Sequence, residues 1–130
     1  MTYGGEGPFS FQVSLYDNGE IAFQYDHMHN IAGPTVGLES PTDNFHLLYM
    51  FPTINLPDRT RLEFAPREGG FDTRISTDPN GPVFDWQEHP TGVPHLVLGD
   101  DSSAVVTLPF AFPWMDRVYT TVNVSSNGYL

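Results

Sequence analysis

The stretch that decides the fold runs from Phe9 to Tyr25 and reads FSFQVSLYDNGEIAFQY. Apolar side chains alternate with small or polar ones on both sides of Asn18-Gly19, a pair that readily takes the positive φ angles of a two-residue hairpin turn. The pattern predicts a β-hairpin, because neighbouring side chains of a strand point to opposite faces. One face of each predicted strand is apolar, carrying Phe9, Phe11, Val13 and Leu15 in the first and Ile21, Phe23 and Tyr25 in the second.

The rest of the chain continues in short strand-like runs separated by turn residues. No window carries a capped apolar period of a helix, because Pro or Gly interrupts every stretch long enough. Pro66–Pro82 is rich in Gly, Pro and charge, and is expected to be a linker or an exposed loop. The chain is therefore predicted to be all-β, an antiparallel β-sandwich of jelly-roll or immunoglobulin-like type, with a closed barrel as the alternative. The further predicted strands are 34–39, 45–50, 61–64, 83–86, 95–98, 104–108 and 119–124.

Length and charge limit the partners. The chain has 130 residues, enough for one core, and a formal net charge of −11, with five arginines and no lysine. Such a surface disfavours nucleic acid and anionic membranes, because both require basic side chains to neutralise phosphate. No apolar run approaches the roughly 18 residues of a membrane span, so no membrane insertion is expected. Met1–Glu6 does not resemble a signal peptide, so if the protein is secreted, its signal is expected to lie outside this sequence.

No motif of an enzyme is present. The sequence has no cysteine, no Gly-x-Ser-x-Gly, no HExxH and no phosphate-binding glycine loop. Asp100-Asp101 is the only adjacent acidic pair, and it is expected to form a turn or bind a cation rather than to catalyse. The protein is therefore predicted not to be an enzyme.

Two acidic turns are candidate Ca²⁺ sites. Asp78 and Asn80 belong to one, and Asp100 and Asp101 belong to the other. Both offer oxygen ligands, although neither has the ligand number of a dedicated site, and both are also ordinary turn sequences. No other cofactor is expected.

The histidines offer fewer metal ligands than a site needs. His27 and His29 would face the same way on an extended segment, yet two ligands are too few, and a solvated pair is the favoured interpretation. His89 and His95 lie in a proline-containing loop without a third ligand at a suitable spacing.

An apolar cluster follows the predicted strand at 104–108. Its side chains are candidate subunit contacts, and packing at the end of a sandwich is the favoured interpretation. The cluster consists of Phe110, Phe112, Trp114 and Met115.

Two parts of the chain together resemble a repeated β-sandwich module of secreted bacterial surface proteins, which also occurs beside subtilisin-like protease domains. The segments Asp85-Trp86, Leu98–Ser103, Leu108–Pro113 and Tyr119–Leu130 are similar to its opening half. The hairpin, with Thr35–Glu39 and Leu56–Phe64, is similar to its closing half. The resemblance implies an extracellular or cell-surface location.

The halves stand in inverted order. Residues 1–68 match the closing half, 69–81 form the linker or exposed loop, and 82–130 match the opening half. The sequence is therefore a window of a tandem array, a permuted sandwich, or a subunit completed by strands of its neighbours. In each case unpaired strand edges and an uncovered apolar face favour self-association. The leading expectation is a non-enzymatic structural protein that assembles by strand complementation, into a filament or tube; the alternative is an accessory or ligand-binding module of a larger secreted protein such as a protease.

Overall fold

The computed structural model describes residues 10–28, 35–39, 46–50, 56–92, 95–115, 117–126 and 130. All regular structure in these residues is β, and the sheets are antiparallel. The predicted all-β class is thus confirmed. The strands are β1 (Ser10–Leu15), β2 (Ile21–His27), β3 (Thr35–Glu39), β4 (His46–Met50), β5 (Thr60–Arg67), β6 (Gly70–Ile75), β7 (Ser103–Trp114) and β8 (Arg117–Ser125).

The strands form three sheets within two compact units. A four-stranded sheet has the order β1-β2-β5-β6, β3 pairs with β4, and β7 pairs with β8. The first unit comprises residues 1–14 and 21–86, and the second comprises 15–20 and 87–130. Phe9, the predicted turn over 40–44 and Asn127-Gly128 lie outside the described residues.

The predicted hairpin is present as β1 and β2, but its turn differs from the prediction. The Tyr16 N–H donates to Glu20 O at 3.0 Å, and the Gly19 N–H donates to Tyr16 O at 2.9 Å, so the loop holds three residues. Within this turn only Gly19 has a positive φ, of 84°. This is a type I turn followed by a glycine in the left-handed region, and Asn18 instead accepts a bond from the Glu20 N–H through Oδ1 at 3.0 Å.

Residues 70–75 correct the expected linker over 66–82. They form β6, which pairs with β5 in the register Leu62↔Ile75, Glu63↔Arg74 and Phe64↔Thr73. Gly69, at a φ of 78°, lies in the tight turn between the two strands. The glycines that indicated a loop thus form a hairpin turn, and strand alternation in FDTRI was obscured by its charged residues.

Two other strand predictions are wrong. Residues 83–86 and 95–98 belong to none of the sheets. The first of these segments is held by a side chain instead of a strand, as described below. In contrast, the strands predicted at 104–108 and 119–124 are present in longer form as β7 and β8.

The core of the first unit lies on one face of β2 and β5. Ile21, Leu62, Phe64 and Ile75 are all less than 7% exposed, and the Phe64 ring meets that of Phe23 edge-on at 5.8 Å. The register Ile21↔Phe64, Phe23↔Leu62 and Tyr25↔Thr60 places these side chains on one face. The predicted apolar face of β2 is therefore confirmed, and the opposite face of the same strands is left for polar residues.

Candidate functional site

The polar face of β2, β5 and β6 carries a buried ion-pair cluster, which consists of Arg61, Glu63 and Arg74. The first two are separated by two positions on β5 and so share a face, and Arg74 lies directly opposite Glu63 on β6. The Arg61 Nε donates to Glu63 Oε1 at 2.7 Å, and both side chains are close to fully buried. The carboxylate is thereby neutralised by a cation on its own strand.

The second cation of the cluster reaches solvent. Arg74 Nη2 lies 2.7 Å from Glu63 Oε2, yet 53% of the Arg74 side chain is exposed. Among the described residues, Oε2 accepts no hydrogen bond, so this contact is an ion pair without hydrogen-bond alignment. Arg74 therefore pairs with a buried carboxylate while about half of its own side chain is exposed to solvent.

An open cleft of about 450 Å³ lies over the cluster. Its floor is formed by the three charged side chains, and its wall is formed by residues 80–85. Gly81 is required in this wall, because a Cβ there would lie 1.9 Å from Ile75 O. The turn before it is closed by the Gly81 N–H donating to Asp78 O at 2.9 Å.

A buried glutamine fixes the wall of the cleft. Gln24 is fully buried, its Nε2 donates to Asp85 O at 2.8 Å, and its Oε1 accepts from the Asp85 N–H at 2.7 Å. A carboxamide bonds a backbone in this way as a neighbouring strand would. This explains why 82–86 is extended on the sheet without belonging to it.

Aromatic contacts continue along the same segment. The rings of Phe84 and Trp86 are nearly parallel, with centroids 6.2 Å apart, and the Arg59 guanidinium lies 4.8 Å from the Phe84 centroid. Arg59 has a φ of 59°, unusual for a residue with a side chain. Its turn is held by Asp58 Oδ1, which accepts from the Met28 N–H at 2.8 Å, and by the Thr60 hydroxyl, which donates to Pro57 O at 2.7 Å.

Sequence reasoning missed this cluster, although a signal was present. Four of the five arginines fall between residues 59 and 74 of a strongly acidic chain. In RLEF the charged residues alternate with apolar ones, which predicts one polar and one apolar strand face. What the sequence did not indicate is that the polar face is also covered.

The predicted Ca²⁺ ligands lie in two turns that belong to different units. Asp78 and Asn80 lie in the turn after β6, where Asn80 has a φ of 63° and lines the cleft. Asp100 and Asp101 lie in the turn before β7, which is anchored where the Ser126 N–H donates to Ser102 O at 2.9 Å. The described residues contain no group of three or more His, Asp or Glu suited to a metal ion. Calcium binding by either turn stays a prediction.

The structure describes His27 of the first histidine pair and both members of the second pair, His89 and His95. His27 is exposed and its Nδ1 lies 2.6 Å from Asp26 Oδ2, whereas His29 lies outside the described residues. The rings of His89 and His95 meet edge-on with centroids 6.2 Å apart, so the proline-containing loop brings them together.

The second unit contains the predicted aromatic contacts, on a two-stranded sheet. Phe112 is buried, Phe110 and Trp114 are half-buried, and Met115 is 40% exposed at a φ of 56°. Their role as subunit contacts stays a prediction. The sheet also exposes apolar side chains that the sequence did not single out, among them Val105 at 70% and Val118 at 64%.

The strands β7 and β8 pair regularly at both ends and are irregular between them. The register runs from Ser103↔Ser125 to Thr107↔Thr121, shifts, and resumes from Phe112↔Tyr119 to Trp114↔Arg117. The shift falls where β7 contains Pro109, which cannot donate to a ladder.

No helix long and apolar enough to span a membrane occurs among the described residues.

Fold and site together define an all-β protein with an arginine-lined cleft in one unit and an exposed two-stranded ribbon in the other. Comparison with protein-family models, curated proteins and solved structures found no match to this chain. Function must therefore be argued from the chain itself.

Proposed function

We propose that this is a non-enzymatic extracellular structural protein that self-assembles through β-strand pairing, into a filament or tube. The observation that carries the proposal is the two-stranded sheet of β7 and β8 with its exposed valines. A two-stranded hairpin is marginally stable in water unless further strands or another layer join it. Such a sheet gains the most stability when a neighbouring molecule supplies the further strands or the second layer.

The apolar surface supports the same proposal. Val105 and Val118 are exposed on the ribbon, and Val97 beside it is 80% exposed. Covering apolar surface contributes about 25 cal/mol per Å², so an interface that buries these side chains is favoured. We further propose that the completed structure is an antiparallel sandwich, in which strands of a neighbour complete the sheets.

The remaining parts of the proposal rest on the sequence. The absence of nucleophile, zinc and phosphate motifs favours a role without catalysis. The resemblance to a module of secreted surface proteins supports an extracellular or cell-surface location. A net charge of −11 with only five basic residues disfavours nucleic acid as a partner.

Light scattering of the full chain tests self-assembly. We expect the mean mass to rise with protein concentration, both with and without Ca²⁺. A monodisperse monomer at high concentration under both conditions contradicts the proposal. A rise that requires Ca²⁺ and is lost when Asp100 and Asp101 are both replaced by Asn would assign the cation site to that turn.

The cleft favours a second candidate function, an accessory or ligand-binding module of a larger protein. Arg74 lines the cleft, and 53% of its side chain is exposed although it pairs with Glu63. A partly exposed guanidinium in a cleft is suited to a carboxylate.

Titration with a short acidic peptide tests this second candidate by following the backbone amide signals of Gly81 and Phe84, which line the cleft, in NMR spectra. Saturable shifts that are lost in Arg74→Ala but kept in Arg67→Ala would support it. The second variant is a suitable control, since Arg67 is exposed and pairs with Asp72 at 2.8 Å outside the cleft. Equal shifts in both variants would contradict a specific site.

A further inference from the structure

The free strand edges differ in how well they are protected against pairing. Natural edge strands are blocked by proline, bulges or charged side chains. The β7 edge carries Pro109, Pro113 and the register shift between Thr107 and Phe112. At the outer edge of the four-stranded sheet, β6 carries Asp72 and Arg74. Both edges thus have the features that prevent another strand from adding.

The β8 edge lacks proline and acidic residues, and its one charged residue, Arg117, is the first residue of the strand. Its nine residues, RVYTTVNVS, are rich in the β-branched residues that strands favour. Among the described residues β8 pairs only with β7. The strand β1 carries no charge, but with six residues it offers a shorter edge.

We propose that β8 is the edge through which two copies of this chain meet, pairing antiparallel with the β8 of a second copy. This inference rests on the proposed self-assembly and names one contact in it, the one that joins copies in pairs. A pair related by a two-fold axis uses the same surface twice, so the strand must be complementary to itself.

The sequence of β8 meets that requirement. When the two β8 strands overlap fully, Thr121 of one copy lies opposite Thr121 of the other. In the same register, Val118 of one copy lies opposite Val124 of the other. The same register sets Arg117 opposite Ser125, so no like charges face each other. Paired threonines and paired β-branched residues are favourable across antiparallel strands.

Pairing also supplies the strands that the ribbon lacks. The two ribbons would form a four-stranded sheet in the order β7-β8-β8-β7, above the minimum for independent stability. The register Ala104↔Val124 and Val106↔Val122 places apolar side chains on one face of β7 and β8. By strand alternation Val118 belongs to that face of β8, so its exposed side chain gains an apolar neighbour from the other copy.

Charge favours the same edge. Two copies of a chain with a net charge of −11 repel each other over most approaches. Because β8 has one arginine and no acid, two β8 strands meet without adding acid-to-acid contacts. The partner that fits this edge is therefore a second copy.

A charge-swap pair tests the register. Thr121 is exposed and uncharged, and the pairing places it on the two-fold axis. Thr121→Lys and Thr121→Glu should each weaken association at least several-fold in sedimentation velocity, since like charges then face each other. An equimolar mixture of the two variants should restore it. The changes alter the net charge in opposite directions, so a non-specific charge effect would not weaken both.

Thr107→Lys is the matched control, because Thr107 is also exposed and lies directly opposite Thr121 on the protected strand β7. We expect it to associate like the unchanged chain. Equal loss in Thr107→Lys and Thr121→Lys, or unchanged association in both Thr121 variants, would overturn the β8 contact while leaving self-assembly standing. An unchanged chain that stays monomeric would instead refute the proposed function.

Cross-linking keeps the inference testable if the charged variants fail to fold. The chain contains no cysteine, so Thr121→Cys introduces a single thiol. Residues directly opposite in an antiparallel pair have Cβ atoms about 4.5–5.5 Å apart, close enough for a disulfide after small adjustments. We expect mild oxidation to give covalent dimers of Thr121→Cys and few of Thr107→Cys. Equal yields would contradict the proposed pairing.

Discussion

At the scale of single residues, the most consequential side chain is Glu63. It is buried between Arg61 and Arg74, and removing it leaves a buried guanidinium without its strand neighbour. We expect Glu63→Ala to lower the free energy of unfolding by about 3 kcal/mol, because removing one partner of a buried ion pair is strongly destabilising. Urea denaturation measures this loss.

The control for Glu63 is Asp72→Ala. This substitution breaks the exposed pair of Asp72 with Arg67, in which more than half of each side chain is accessible. Its cost should be below about 1 kcal/mol. If the two variants lose equal stability, burial does not govern the strength of these pairs.

Tyr25 gives the protein an alkaline limit. Burial raises the pKa of the Tyr25 phenol above its ordinary value of 10.0. The folded state thus holds this proton more tightly than the unfolded state. The contribution of the protonated Tyr25 to the free energy of unfolding is therefore fully present below pH 10, and it is lost as pH rises toward the folded-state pKa. We expect the free energy of unfolding to fall above about pH 10, and to fall less steeply in Tyr25→Phe.

The alkaline measurement is simplified by composition, because the chain has no lysine or cysteine to titrate in the same range. Denaturation midpoints at several pH values between about 8 and 11 would supply it. The same slope in Tyr25→Phe and the unchanged chain would exclude Tyr25 as the cause.

At the scale of elements, the segment 82–86 shows how a side chain can substitute for a strand. Both hydrogen-bonding groups of the Asp85 backbone are bound by Gln24. Gln24→Leu should therefore expose the Asp85 N–H to exchange and cost about 1–3 kcal/mol, while the amides between β5 and β6 remain protected. Hydrogen exchange by NMR would measure both. Uniform loss of protection would show that Gln24 supports the whole sheet rather than this segment.

The predictability of these elements followed their chemistry. The hairpin of β1 and β2 was predicted because strict alternation flanks a glycine turn, although Gly19 alone takes the positive φ. Strand β6 was missed because its glycine turn and charged residues resemble a loop. Residues 83–86 were overpredicted because apolar alternation there reflects contact with the sheet, mediated by Gln24, which lies some 60 residues away in the sequence.

Sites were harder to predict than strands. Arg61 and Glu63 share a face by simple alternation, but their meeting with Arg74 depends on the pairing of β5 with β6. A single sequence carries the first relation and not the second. The acidic turns drew attention because they resemble cation ligands, whereas the buried cluster carries no short motif.

At the scale of the whole molecule, charge opposes the assembly that the exposed strands favour. A net charge of −11 on each copy should make association depend on salt, because the range of repulsion falls from about 30 Å at 0.01 M to about 3 Å at 1 M ionic strength. We expect the dissociation constant measured by sedimentation to fall as NaCl is raised over this range. Association that weakens with salt would indicate an interface held by opposite charges instead.

The prolines of β7 set a limit on what strand pairing can build. Pro109 and Pro113 lie on the strand that would be outermost on both sides of the proposed four-stranded sheet. Each copy would therefore place its proline-containing β7 at a free edge of the sheet. No further strand would add after the first pairing. Growth into a filament would have to use a different surface. Pairing through β8 therefore stops at a dimer, and the prolines protect the sheet from the unlimited strand addition of amyloid.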